Sequence, residues 1–161
     1  MLQTYVDRFV YWCYYSKDYA FVHDSKLASP LLQSLHLIGI MLLLGTTVIL
    51  NLRLLDIGFR RLPLPVLSEQ LWRWTNIGLL LATVSGIMVF MADPTRYAHN
   101  QTFLRKMVLF CLALIYQFTV FRKVASQDPL VRSKAQNGML AALSLCLWFG
   151  VAWAGRGIAF F

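Results

Sequence analysis

Charge is what this chain has least of. Only 14% of its 161 residues are charged, and only seven are Asp or Glu, where a soluble domain of ordinary composition carries about a quarter charged residues. That excludes an ordinary soluble fold. No apolar run holds paired carboxylates, and there is no HExxH, nucleophile elbow or phosphate loop, so hydrolytic and metalloprotease chemistry are excluded as well. An enzyme is not expected. Cysteine is scarce too. Cys13, Cys111 and Cys146 are odd in number and widely spaced, with no CxxC and no CxxCH, which leaves no disulfide framework and no covalent haem attachment. They are expected to be apolar packing residues. The five prolines all fall at or between the ends of apolar runs. No internal repeat is visible, and neither are the broken helices of an alternating-access transporter.

What is present is hydrophobic. The chain is 58% apolar with a mean hydropathy of +0.59, and four runs are long enough to cross a bilayer. The expected fold is all-α, a four-helix transmembrane bundle with an N-terminal amphipathic interfacial helix. Residues 1–29 form the interfacial, aromatic-rich segment, with its helix over about residues 2–15. Residues 30–161 form the bundle, with spans over about 30–53, 71–92, 103–121 and 136–156. The N-terminus has no basic stretch leading into an uninterrupted apolar core, so no cleavable signal is expected. Ser29-Pro30 is expected to cap and start the first span, and Ser68 to cap the second. The net charge of +8 comes from basic residues clustered between spans. There they meet lipid phosphates and set topology, and no nucleic-acid module accompanies them.

Small and polar residues mark one face of each span. Gln33, His36, Gly39, Leu43 and Thr46 share a face in the first, and Thr75, Gly78, Ala82 and Ser85 in the second. The fourth carries Ala141, Ser144, Trp148, Ala152 and Gly155. Such stripes turn toward neighbouring helices, because lipid tails give apolar side chains no reason to associate. Four antiparallel spans put both termini and the 93–102 connector at one end of the bundle. That end gathers His23, His36 and His99 with Tyr97, Asn100, Arg105, Lys106 and Arg156. The opposite end holds short basic loops, which places it in the cytoplasm by the positive-inside rule and the histidine end outside.

Several segments resemble an uncharacterised family of small four-helix bacterial integral membrane proteins, a domain of unknown function. They are Leu35-His36-Leu37-Ile38-Gly39, Leu52-Arg53-Leu54-Leu55, Arg60-Arg61-Leu62-Pro63, Ala92-Asp93-Pro94-Thr95-Arg96-Tyr97 with Asn100, Phe103 and Lys106, and Ala154-Gly155-Arg156-Gly157 onward. The resemblance covers about residues 30–161. It implies the fold and a bacterial inner membrane, and no activity. Family members often carry a second histidine at the end of the third span, where this chain has Phe121-Arg122-Lys123. In architecture alone the chain is distantly similar to membrane cytochromes b and copper-resistance permeases.

His36 is the organising residue, because an imidazole inside hydrocarbon is costly and marks a functional candidate. The leading expectation is a b-type haem, or a related redox cofactor, serving electron transfer. His36 is the axial ligand, Gly39 and Gly86 make room for the macrocycle, and Lys106 and Arg156 meet its propionates. His99, His23 or Met88 is the sixth ligand, or the sixth ligand is missing, and Tyr97 and Asn100 order the loop or cap the third span. Copper held by His36, His99, His23 and Met88 is one alternative. A quinone or anionic lipid held by His36, Tyr97 and Lys106 is another. A structural or accessory subunit, in which His36 simply bonds Gln33 or a neighbouring carbonyl, is the third. The expected partners are the lipid bilayer, a redox partner or larger membrane complex, and a second copy of the chain.

Overall fold

The computed structural model describes Arg8, Tyr11 and Trp12 and residues 27–59, 61–92, 94–98 and 100–157. Helix α1 (Ala28–Leu54) leads through a tight connector to α2 (Leu64–Ala92). The short α3 (Pro94–Ala98) and then α4 (Gln101–Tyr116) follow. The chain continues without a break through a π-helical turn (Gln117–Phe121) into α5 (Arg122–Ala125). A 3₁₀ turn (Pro129–Val131) and α6 (Lys134–Gly157) complete it. No strand occurs among the described residues. Four helices, Pro30–Leu54, Leu64–Ala92, Gln101–Ala125 and Lys134–Gly157, are long and apolar enough to cross a membrane. At 1.5 Å per residue each extends roughly 36–44 Å, against a hydrocarbon core of about 30 Å. The ends therefore reach the headgroups. Arg8, Tyr11 and Trp12 are helical, and the other residues expected in the interfacial helix lie outside those described.

The helices associate as two pairs. In the first, α1 and α2 touch backbone to backbone. A Cβ placed on Gly39 would stand 2.5 Å from the Ala82 nitrogen, and one on Gly78 would stand 2.7 Å from the Leu43 nitrogen. The α2 stripe does what its spacing predicts, with Thr75, Gly78, Ala82 and Ser85 all buried, whereas the α1 stripe turns inward only from His36 on, Gln33 being exposed. The second pair is α4 with α6, where Trp148 meets Phe110 edge-on at 6.3 Å. The buried Asn51 side chain joins the pairs by donating to Ser144 Oγ at 3.0 Å. One apolar cluster (with Leu50, Leu54, Tyr116 and Phe121) fills the end nearest the 53–63 connector. A second (Leu43, Ala113, Trp148 and Val151) lies further along the bundle. Leu37, Met41, Leu80, Val108 and Trp153 point outward and are more than half exposed, as lipid-facing residues must be.

Three boundaries differ from the sequence expectation. Helix α1 begins at Ala28 with Leu27 at its N-cap and no side-chain capping bond, so Ser29 is not the cap. Helix α2 begins at Leu64, a full two turns before the expected Leu71. Pro65 falls at its second position, where its missing N–H has no intrahelical partner to lose. Ser68 is accordingly a buried residue inside the helix. The third span runs to Ala125 rather than ending at Phe121. Cys111 and Cys146 are exposed and contribute to the outer surface, not the core. Cys13 lies outside the described residues.

Candidate functional site

His36 sits eight residues into α1, about 12 Å from its start at 1.5 Å per residue. Its depth is the outer part of the hydrocarbon, not the middle. Three residues before Gly39, it lies one turn beyond the tightest α1–α2 contact, and the ring packs on Gly86 of α2. A Cβ on Gly86 would stand 3.0 Å from His36 Cε1 and 3.3 Å from Nδ1. Nδ1 lies 2.8 Å from the Ala82 carbonyl oxygen and 3.2 Å from Ser85 Oγ. A carbonyl only accepts, so Nδ1 carries the proton and donates. In the neutral ring Nε2 is then a lone-pair acceptor. Ser85 Oγ in turn donates to the Leu81 carbonyl. The contact with a neighbouring carbonyl is the one a packed intramembrane imidazole needs, and it also fixes which nitrogen is the acceptor.

Lys106 supplies the positive charge. It lies five residues into α4, and its stem crosses Gly155 of α6, where a Cβ would stand 3.6 Å from Lys106 Cε. The start of α4, which carries Lys106, lies at the same end of the bundle as the start of α1, which carries His36. The α4–α6 contact stays tight up to the end, with Thr102 Cγ2 at 3.1 Å from a Cβ placed on Gly157. Arg105 and Arg156 flank Lys106 and are exposed, at the depth of phosphate headgroups.

Three rings from three helices bridge the two pairs at this end. Phe90 of α2 stacks on Phe103 of α4 at 5.5 Å with planes 22° apart. Tyr97 of α3 lies 6.3 Å from Phe90 and 5.7 Å from Phe103. Phe90 is one turn beyond Gly86 and Phe103 three residues before Lys106, so the rings are sequence neighbours, on the same helix faces, of those two residues. Asn100 is the N-cap of α4, its Oδ1 accepting from Thr102 N at 2.8 Å and Phe103 N at 3.2 Å.

The structure thus packs His36 on Gly86, holds Lys106 against Gly155 at the same end of the bundle, sets Tyr97 against Phe90 and Phe103 and makes Asn100 a cap. Two expectations change. Gly39 and Gly86 do not leave a slot for a macrocycle, because the Ala82 backbone occupies the space at one and the His36 ring at the other. Met88 is 38% exposed, and two residues from Gly86 it points away from His36. Arg156 is at the rim of the site, and His23 and His99 lie outside the described residues. No group of three or more His, Cys, Asp or Glu able to hold a metal occurs among the described residues. The residues that sequence reasoning missed are Ala82 and Ser85 as partners of the imidazole, and Phe90 and Phe103 as an aromatic wall. Ala82 acts through its backbone, which leaves no trace in the sequence.

Helices of this length around one polar end define a small, multi-pass, all-helical membrane protein. The chain belongs to the family of unknown function DUF6644, whose profile matches residues 8–161. No curated protein and no solved structure matches it.

Proposed function

We propose that this membrane protein binds the headgroup of a quinol-class redox lipid at the His36–Lys106 end and serves electron transfer as part of a larger membrane complex. The observation that carries the reading is the Nδ1–Ala82 hydrogen bond. It leaves Nε2 an acceptor, whose complement is a hydroxyl donor. Lys106 is a donor only, and its complement is an oxygen acceptor. A hydroxyl beside a second ring oxygen satisfies both, and an isoprenoid tail places such a ring at this depth. Phe90, Phe103 and Tyr97 offer flat apolar surface to a planar ring. A bare phosphate headgroup fits less well, since Nε2 would have to be protonated beside an ammonium.

A haem b ligated by His36 is the second reading. One observation favours it: ligating imidazoles are commonly held through the other ring nitrogen by a carbonyl, as here. The closed glycines give it no slot between α1 and α2. Copper finds no support in a site that has a lysine and no described carboxylate. The short basic connectors of the opposite end favour a bacterial inner membrane with the His36 end periplasmic.

The test is a titration of detergent-purified protein with a short-chain ubiquinol analogue, followed by intrinsic tryptophan fluorescence, beside absorption spectra of oxidised and dithionite-reduced protein. Saturable quenching that His36→Ala and Lys106→Met each weaken at least tenfold supports the reading. A Soret band lost in His36→Ala would replace it with the haem. Neither quenching nor a Soret band would leave a structural subunit.

A further inference from the structure

A second polar site lies deeper, between α1, the third span and α6. Thr47 and Asn51 are 0% exposed and Gln117 is 1% exposed, and each keeps an unpartnered atom: Thr47 Oγ1, Asn51 Oδ1 and Gln117 Nε2. Their other bonds fix where those atoms point. Asn51 Nδ2 donates to the Thr47 carbonyl at 2.8 Å and to Ser144 Oγ at 3.0 Å. Gln117 Oε1 accepts from Trp148 Nε1 at 3.2 Å. The indole can only donate, so the amide orientation is settled and Nε2 is the outward donor. Helices α1 and α6 run in opposite directions. With Asn51 opposite Ser144, Thr47 lies one turn back, level with Trp148 one turn on. Trp148 in turn holds Gln117. Register therefore directs a carbonyl acceptor and a hydroxyl from α1 and an amide donor from the third span at one region beside α6. Gln117 also opens the π-helical turn, a local widening of the helix that recurs at functional sites.

We infer that this region is an internal hydration site, in which ordered water bridges Thr47, Asn51 and Gln117 inside the bundle. The donor set selects the guest. A cation is repelled by the outward Gln117 N–H, and an anion by the Asn51 carbonyl. No charged side chain lies among the three to balance either, and an ion buried without a counter-charge is strongly disfavoured. The guest must both accept and donate, and buried water with about three hydrogen bonds does so. The site is separate from the His36 end, and it stands whether or not a quinol binds there.

Solid-state NMR of isotope-labelled full-length protein in lipid bilayers tests this through magnetisation transfer from water. The exposed side-chain amide of Gln127 is the wet reference, and the backbone amide of Ala113, 0% exposed in an apolar cluster, is the dry one. The Gln117 and Asn51 side-chain amides are expected to build up at the rate of Gln127, at least threefold faster than Ala113. The near-isosteric Thr47→Val is expected to cut the Gln117 signal at least twofold while Ala113 and Gln127 keep their shifts, which shows that the variant is folded. Gln117 as slow as Ala113 would overturn the inference. Replacing sodium by choline is expected to leave the Asn51 and Gln117 shifts unchanged, and a sodium-dependent shift would overturn the neutral guest in favour of a cation.

Discussion

His36 shows how one hydrogen bond decides what a side chain can do. With Nδ1 committed to Ala82, the ring has one free nitrogen and one orientation. Gly86 is what permits it, because the ring lies against the glycine. Gly86→Ala places a methyl 3.0 Å from Cε1, so the ring must turn and the Nδ1 bond stretch. The expected result is a weakening of quinol-analogue binding of about tenfold, equivalent to ~1.4 kcal/mol, with the fold intact. Imidazole ¹⁵N shifts check it, since the proton is expected to lose its single location on Nδ1. Lys106→Arg is expected to retain charge yet bind less well, because the planar guanidinium fork presents its donors differently from a compact ammonium. Fluorescence titration of Lys106→Arg beside Lys106→Met separates charge from shape.

Among elements, the α1–α2 pair is the most sensitive to added volume. Gly39→Ala and Gly78→Ala each put a Cβ within 2.7 Å of facing backbone, which no rotamer change relieves. Each is expected to cost about 1–3 kcal/mol, the usual range for overpacking, read as a lower midpoint in detergent unfolding. Gly45→Ala, where a Cβ meets nothing within 4 Å, is the matched control with no loss. Asn100→Ala removes the α4 cap and is expected to cost about 1 kcal/mol. This packing was legible in the sequence, because Thr75, Gly78, Ala82 and Ser85 recur at helical spacing in an apolar run. The start of α2 was not: Pro63 and Pro65 read as terminators, whereas a first helical turn tolerates proline. The π-helical turn has no sequence signature. Asn51 and Gln117 are visible as polar residues in apolar runs, but their partners Ser144 and Trp148 stand on another helix, and nothing in the linear order pairs them. The same holds for Phe90 with Phe103.

For the whole molecule, the polar groups fall into two levels. One end carries an oriented imidazole, an ammonium and an aromatic wall. The bundle interior carries a ring of uncharged polar side chains. At the other end, Arg122 stacks on Trp72 at 5.1 Å, and Trp72 meets Phe118 edge-on at 5.5 Å, so a basic loop is anchored to the bundle at headgroup depth. On the proposed orientation this loop faces the cytoplasm. A cysteine introduced at Gln127 is therefore expected to resist a membrane-impermeant maleimide in intact cells and to react after lysis, whereas labelling in intact cells would invert the orientation. The proposed quinol site is tested most directly by solvent extraction and mass spectrometry of lipids retained by protein purified into nanodiscs, wild type beside His36→Ala. Near-stoichiometric quinone in the wild type, reduced at least tenfold in the variant at equal phospholipid, is the expected result. Equal quinone in both, at the level of bulk lipid carry-over, would contradict a quinol site at His36.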